Sequence, residues 1–439
     1  MNGHLKRGSV AVVGAAESDL GQMAPNTSPV DLMAQATMRA LDDCGLKLSD
    51  IDGVFSAASQ VRQGPMPLCE YLRITPRYFD GTQIGGSSFM ALLTHAQCAL
   101  EAGLCEVALI TYGSTQRSVS RAIATPRDYN YFETPYKPLL PISAYALAAS
   151  RHMHQYGTTR EHLAEVAVAA RKWALMNPKA WEKEPLTIEQ ALNARMVSHP
   201  FTVRDCCLVL DGGGAVILTT AARAKTLKKT PVYVLGTGDA LSHVSISSMP
   251  DLTVTAAARS GPQAFRMAQL KPSDVKMLSL YDAFTITPIL FLEDLGYCPK
   301  GEGGRFVSDG AIAPGGKLAV NTSGGGLSYC HPGMYGLLAM IEAIRQVRGE
   351  CGQRQVKNCD VALAHGNGGV MSTQCTVMVG QQMASTTPGR PAPAPTSSTR
   401  TDSSRPSVAS CWRKGRTTAR LSSRWWVSMS CGSRTAVRL

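Results

Sequence analysis

Residues 321–336 read "NTSGGGLSYCHPGMYG". Three consecutive glycines, Gly324, Gly325 and Gly326, run into Tyr329, Cys330, His331 and Tyr335. Glycines let backbone come close to a ligand, and phenol and imidazole groups pass protons in the general acid–base step. Two shorter clusters offer the same groups: Tyr281 and Asp282 in "YDAF" (281–284), and His365 and Gly368 in "AHGNGG" (364–369). Cys330 beside His331 is the alternative, a thiol nucleophile, but neighbouring residues on an extended loop point apart. The other glycine run, "GEGG" (301–304), lacks the Lys-Ser/Thr of a phosphate loop and reads as a plain loop.

Metal chemistry is not expected. The thirteen cysteines are scattered, with no C-x-x-C pair and no His/Cys cluster at zinc spacing. Most read as reduced, buried thiols. The net charge of +12 points to nucleic acid only until it is located. Residues 381–439 hold nine arginines and one lysine against Asp402, which is +9 of that total. The first 380 residues keep only +3, and no nucleic-acid-binding motif accompanies the basic end. That Pro/Ser/Thr/Arg-rich tail is expected to be disordered and reads as out-of-frame or read-through sequence. No apolar run reaches membrane-span length, and "MNGHLKRG" passes directly into a core strand with no signal-peptide stretch. A cytoplasmic location is expected.

The elements that must position these groups alternate. "VAVVGAA" (10–16), "IDGVFSA" (51–57) and "CEVALITYGS" (105–114) read as strands. Between them, 28–45 reads as a helix with Ser28 as its cap and Pro29 in its first turn, and 85–103 as a buried helix. Residues 119–204 break the rhythm as a helical insertion, and 206–224 returns to strand character. The second half repeats the first. "LKLSD" (46–50) matches "LKPSD" (270–274), and "CEVAL" (105–109) matches "CDVAL" (359–363). The fold class is α/β: a duplicated βαβαβ unit in layers, with halves 1–228 and 229–380 and the site between them.

A duplicated chain carrying "DGGGAVILT" (211–219), "YDAF", "NTSGGGLSYCHPGMYG" and "AHGNGG" in that order resembles the thiolase superfamily over roughly residues 8–380. The resemblance implies a five-layer αβαβα fold, an acyl-CoA substrate, no cofactor beyond that coenzyme, and a homodimer through the first-half sheet. It also marks departures. Thiolases place a nucleophilic cysteine at the start of the buried first-half helix; here Gly85 holds that position, with Ser87 and Ser88 nearby. Tyr281 stands where the family has Asn or His. The constellation is similar to the lipid-transfer-protein subgroup, aldolases of sterol side-chain breakdown that cleave a β-hydroxyacyl-CoA and need a small zinc-ribbon/OB-fold partner. On that resemblance His331 and the glycine-loop N–H groups steady the thioester oxyanion. Tyr281 and Tyr329 are acid and base in either order. Tyr335 and His365 support them or shape the pocket, and Asp282 orients Tyr281. A thiolase-type acyltransferase and a non-catalytic acyl-CoA-binding homologue are the other two readings.

Overall fold

The computed structural model describes residues 5–119 and 130–381. The tail, apart from Gln381, lies outside the described residues, as do residues 120–129 of the insertion. Val10–Val13 are buried and open strand β1 (Val10–Glu17). Helix α1 (Pro29–Cys44) begins with a reciprocal cap. The Ser28 hydroxyl accepts the Asp31 N–H at 3.2 Å, and the Asp31 carboxylate accepts the Ser28 N–H at 2.8 Å. The first half continues through β2 (Gly53–Ser56), α2 (Met66–Leu72), β3 (Tyr78–Asp80), α3 (Ser88–Glu101) and β4 (Val107–Ser114). Between β4 and the next long strand lie helices α4 (Ile142–Tyr156), α5 (Arg160–Leu175) and α6 (Ile188–Leu192). A small hairpin of β5 (Met196–Ser198) and β6 (Phe201–Thr202) follows them. Strand β7 (Gly212–Thr220) starts later than the sequence reads. Residues 206–211 stay irregular because the Cys207 and Leu208 N–H groups bond to the carbonyls of Ala283 and Gly326 instead of a ladder.

After α7 (Ala221–Ala224), the second half holds β8 (Val232–Leu241), α8 (Ala257–Ala268), β9 (Met277–Leu280), α9 (Ile286–Asp294) and α10 (Gly303–Val307). It ends with β10 (Ala319–Val320), α11 (Gly336–Arg348), β11 (Val361–Gly368) and β12 (Thr373–Gly380). The strands line up β10-β9-β11-β12-β8-β1-β7-β4-β2-β3. Read outward from the centre, each half has the same order and the same parallel and antiparallel neighbours. The strands of the two halves pair at β1 and β8, Ala11 with Tyr233 and Val12 with Val232. Helices α3 and α11 touch each other and strands of both halves, while α1 and α8 cover the first and second halves respectively. This is the layered, duplicated α/β architecture expected.

In each half the parallel strands aim their C-terminal ends at the loops that hold the candidate residues. Tyr281 follows β9, the glycine loop follows β10, and Gly85–Ser87 precede α3. Crevices at the C-terminal ends of parallel strands are where open α/β sheets bind ligands.

Candidate active site

The two halves meet backbone to backbone. A Cβ on Gly368 would lie 1.8 Å from the Ile84 carbonyl, and one on Gly86 only 2.1 Å from Cε2 of Tyr281. Glycine at 86 is therefore what lets the Tyr281 ring lie against the start of α3.

Tyr281 is 4% exposed and His331 6%. The Tyr281 hydroxyl accepts the Tyr335 backbone N–H at 3.2 Å, donates to the Gly333 carbonyl at 3.3 Å, and lies 3.1 Å from Nε2 of His331. Nδ1 of His331 accepts the Gly333 N–H at 3.4 Å, which assigns the imidazole proton to Nε2. The Tyr281 oxygen thus accepts two N–H donors. Burial lowers the His331 pKa to about 4, so its ring is neutral near pH 7. Burial also raises the Tyr281 pKa well above its usual value, partly opposed by the Tyr335 N–H. The resting site is a phenol and a neutral imidazole.

The other expected groups leave this pair. The Tyr329 hydroxyl donates to Oε1 of Glu17 at 3.0 Å, and Glu17 is held by Arg345 and by Lys179 at 3.0 Å. Tyr329 therefore faces a buried ionic cluster and not Tyr281. A π-helical turn over Gly325–Tyr329 directs it there. His365 supplies only its backbone: its carbonyl accepts the Tyr281 N–H at 3.0 Å. Its ring nitrogens are taken by Thr376 and Gln374 of β12, both at 2.9 Å. The Tyr335 hydroxyl lies 3.2 Å from Ser323, in the core, while its ring meets Tyr281 edge-on.

The glycine-loop N–H groups are also committed. Gly324 donates to the Asn321 carbonyl at 2.8 Å and Gly325 to the Ser323 hydroxyl at 3.3 Å. Gly326 donates to Asp282 at 2.6 Å. Asp282 thus braces this loop rather than orienting the Tyr281 ring, and a Cβ on Gly325 would sit 2.0 Å from its Oδ2. Burial pushes the Asp282 pKa up to about 7 despite these N–H donors.

No expected nucleophile meets a base. Ser87 and Ser88 hydroxyls donate to the carbonyls of Ile84 and Gly85 at 3.1 and 2.7 Å. The Cys330 thiol points at the Asp211 carbonyl, 3.8 Å away, and burial pushes its pKa up.

A cavity of about 580 Å3 opens over the loop, between the α4–β6 segment and residues 206–209. Arg117, Arg171, Arg195 and Arg204 line it against one carboxylate, Glu182. Its wall is tied to both motifs through Cys207–Ala283 and Leu208–Gly326 hydrogen bonds, each 2.9 Å. Sequence reading missed these arginines because three are dispersed through the 119–204 insertion and Arg117 lies just before it. It also missed Gly86, although the twin glycines ahead of a buried helix were a usable signal.

Residues 238–381 match the thiolase C-terminal domain-like family. An acetyl-CoA acetyltransferase of Methanothermobacter thermautotrophicus is 33% identical over 83% of this chain and 97% of its own length. The chain belongs to the thiolase superfamily. Another thiolase-superfamily relative, the 17-hydroxy-3-oxo-4-pregnene-20-carboxyl-CoA lyase of Mycobacterium tuberculosis, is 32% identical over 78% of this chain and 92% of its own. The solved structure of an Ltp2-ChsH2(DUF35) aldolase superposes with a TM-score of 0.77 at 28% identity, covering 86% of this chain and all of that one. An acyl-CoA function is common to this thiolase homologue's transferase and lyase relatives.

Proposed function

We propose that the protein is an acyl-CoA carbon–carbon lyase. It cleaves a β-hydroxyacyl-CoA by a retro-aldol reaction to a ketone and a shorter acyl-CoA, with no covalent acyl-enzyme. The observation that carries this reading is the Tyr281–His331 pair packed on Gly86, at the helix start where thiolases hold their cysteine. As the Cα–Cβ bond breaks, the Tyr281 phenol gives its proton to Cα and its oxygen takes the β-hydroxyl proton in the same exchange, leaving the β-carbon as the ketone and the phenol restored. The electron pair of the broken bond spreads onto the thioester carbonyl as the bond opens and ends in the new Cα–H bond. The His331 and Tyr335 N–H groups hold the charge on the phenol oxygen through the exchange.

An acyltransferase needs an activated nucleophile. Burial pushes the Cys207 and Cys330 thiols up, away from thiolate, which disfavours that reading. Four guanidiniums against one carboxylate make the 580 Å3 cavity suited to the phosphates of coenzyme A. A steroid-type acyl group is proposed from the names of two relatives, the pregnene carboxyl-CoA lyase and a steroid side-chain-cleaving aldolase. A second, smaller zinc-ribbon/OB-fold chain is proposed as partner, supported by the two-component name of the solved aldolase. A homodimer through the first half is supported by the open edge of β3, where Phe79 is 67% exposed.

The test is Tyr281→Phe, assayed on a CoA thioester with a tertiary β-hydroxyl. Ketone release should fall by about 10²–10⁴-fold with the melting temperature little changed. Turnover near that of the wild type would remove Tyr281 from the chemistry.

A further inference from the structure

A second cavity, of about 750 Å3, lies at the other ends of the strands that carry the site. Lys276 and Val275 precede β9, and Lys317 and Leu318 precede β10; Tyr281 and the glycine loop follow those same strands. The two strands run parallel, Met277 beside Ala319, so the cavity is set apart from the acyl-CoA cavity by their length.

Its lining has two components. Trp173, Tyr297 and Phe306 supply ring surface, and Lys276, Lys317 and Lys357 supply three ammonium groups. Among the described residues no carboxylate lines it. The Trp173 indole N–H is already bonded to the Ile312 carbonyl at 3.0 Å, so that ring contributes apolar contact. The Tyr297 hydroxyl is buried with no hydrogen-bond partner among the described residues. That hydroxyl is closed off from the cavity as well as from solvent, so Tyr297 too contributes ring surface and no polar contact. Three like charges without a carboxylate are satisfied by a ligand carrying more than one negative charge. Three aromatic walls suit a planar ring.

We propose that this cavity binds a phosphorylated ligand with a planar aromatic body, of the adenine nucleotide class. The lysines take the phosphates and the aromatic walls take the base. The site is separate from the retro-aldol chemistry, and its failure would leave that reading untouched.

The test is calorimetric titration of ADP into the full chain. Two saturable sites are expected, one at these lysines and one at the arginines of the acyl-CoA cavity, with adenosine and inorganic phosphate each at least tenfold weaker. The variant K276E/K317E/K357E should lose at least tenfold in ADP affinity at the lysine-dependent site. These lysines are exposed, so its melting temperature should match the wild type and certify the fold. Coenzyme A carries an ADP unit, so the variant R195E/R204E should lose a second ADP site in the acyl-CoA cavity and leave the lysine-dependent site within threefold of its wild-type affinity. No saturable binding at millimolar ADP would overturn the proposal. So would wild-type affinity at both sites in the lysine variant, or a loss confined to the arginine variant.

Discussion

Nε2 of His331 lies 3.1 Å from the Tyr281 hydroxyl, and the two rings meet edge to face with centroids 5.5 Å apart. Fifty residues separate them in the chain, and each sits on a different loop of the second half. Both loops open toward the first half, where only a glycine fits beneath the phenol.

That fit makes Gly86→Ala a sharp probe. The added methyl would lie 2.1 Å from the Tyr281 ring and 2.6 Å from the Asn367 carbonyl. The ring must move off the His331 Nε2–H. Turnover should fall about 10²-fold, with a stability loss of about 1–3 kcal/mol from overpacking. An unaltered rate would mean that the position of Tyr281 is not critical.

Tyr329→Phe separates catalysis from support. It removes a hydrogen bond to a charged carboxylate, worth about 1.5–3 kcal/mol, from the Glu17–Arg345–Lys179 cluster. Thermal stability should drop, while kcat/KM for the remaining folded enzyme changes less than about threefold. A rate loss as large as that of Tyr281→Phe, without loss of stability, would restore Tyr329 as an acid or base.

Stability should depend on pH through the same cluster. Burial alone would raise the Glu17 pKa, but the charges of Arg345 and Lys179 outweigh it and hold it at about 2, below the ordinary 4.5. A depressed folded pKa gives stability that is present above 4.5 and lost as pH falls toward 2, on the order of 3 kcal/mol. Asp282 acts in the opposite sense. Its raised pKa, about 7, means the fold binds a proton between about pH 4 and 7 that the unfolded chain has released. Its contribution therefore declines as pH rises to 7. Melting curves of Glu17→Gln should lie below wild type at pH 7, with the gap narrowing toward pH 3. A gap independent of pH would contradict the assigned pairing.

The duplication was legible because its words make local structure. Lys47 N–H to Asp50 and Lys271 N–H to Asp274 are the same 2.8 Å turn before β2 and β9. The Ser28 cap is legible for the same reason. Side-chain directions were not. The π-helical turn at Gly325–Tyr329 sends Tyr329 to a carboxylate 312 residues away while His331, two residues on, reaches Tyr281. No periodicity in the sequence encodes that split. The motif position of His365 does not show its strand partners; Gln374 and Thr376 of β12 occupy both ring nitrogens, and it is the backbone carbonyl that meets Tyr281. The arginines of the 580 Å3 cavity come from four separate places in the chain, and only the fold gathers them.

The most direct measurement is the reaction of the intact protein with a tertiary β-hydroxyacyl-CoA in D2O, with products and protein mass followed together. The Tyr281 relay predicts a ketone and a shorter acyl-CoA carrying one deuterium at Cα, while the protein, equilibrated beforehand in D2O, gains no acyl-sized mass at any time point. An acyl adduct on the protein that builds and decays with turnover, or transfer of the acyl group to free coenzyme A, would contradict it.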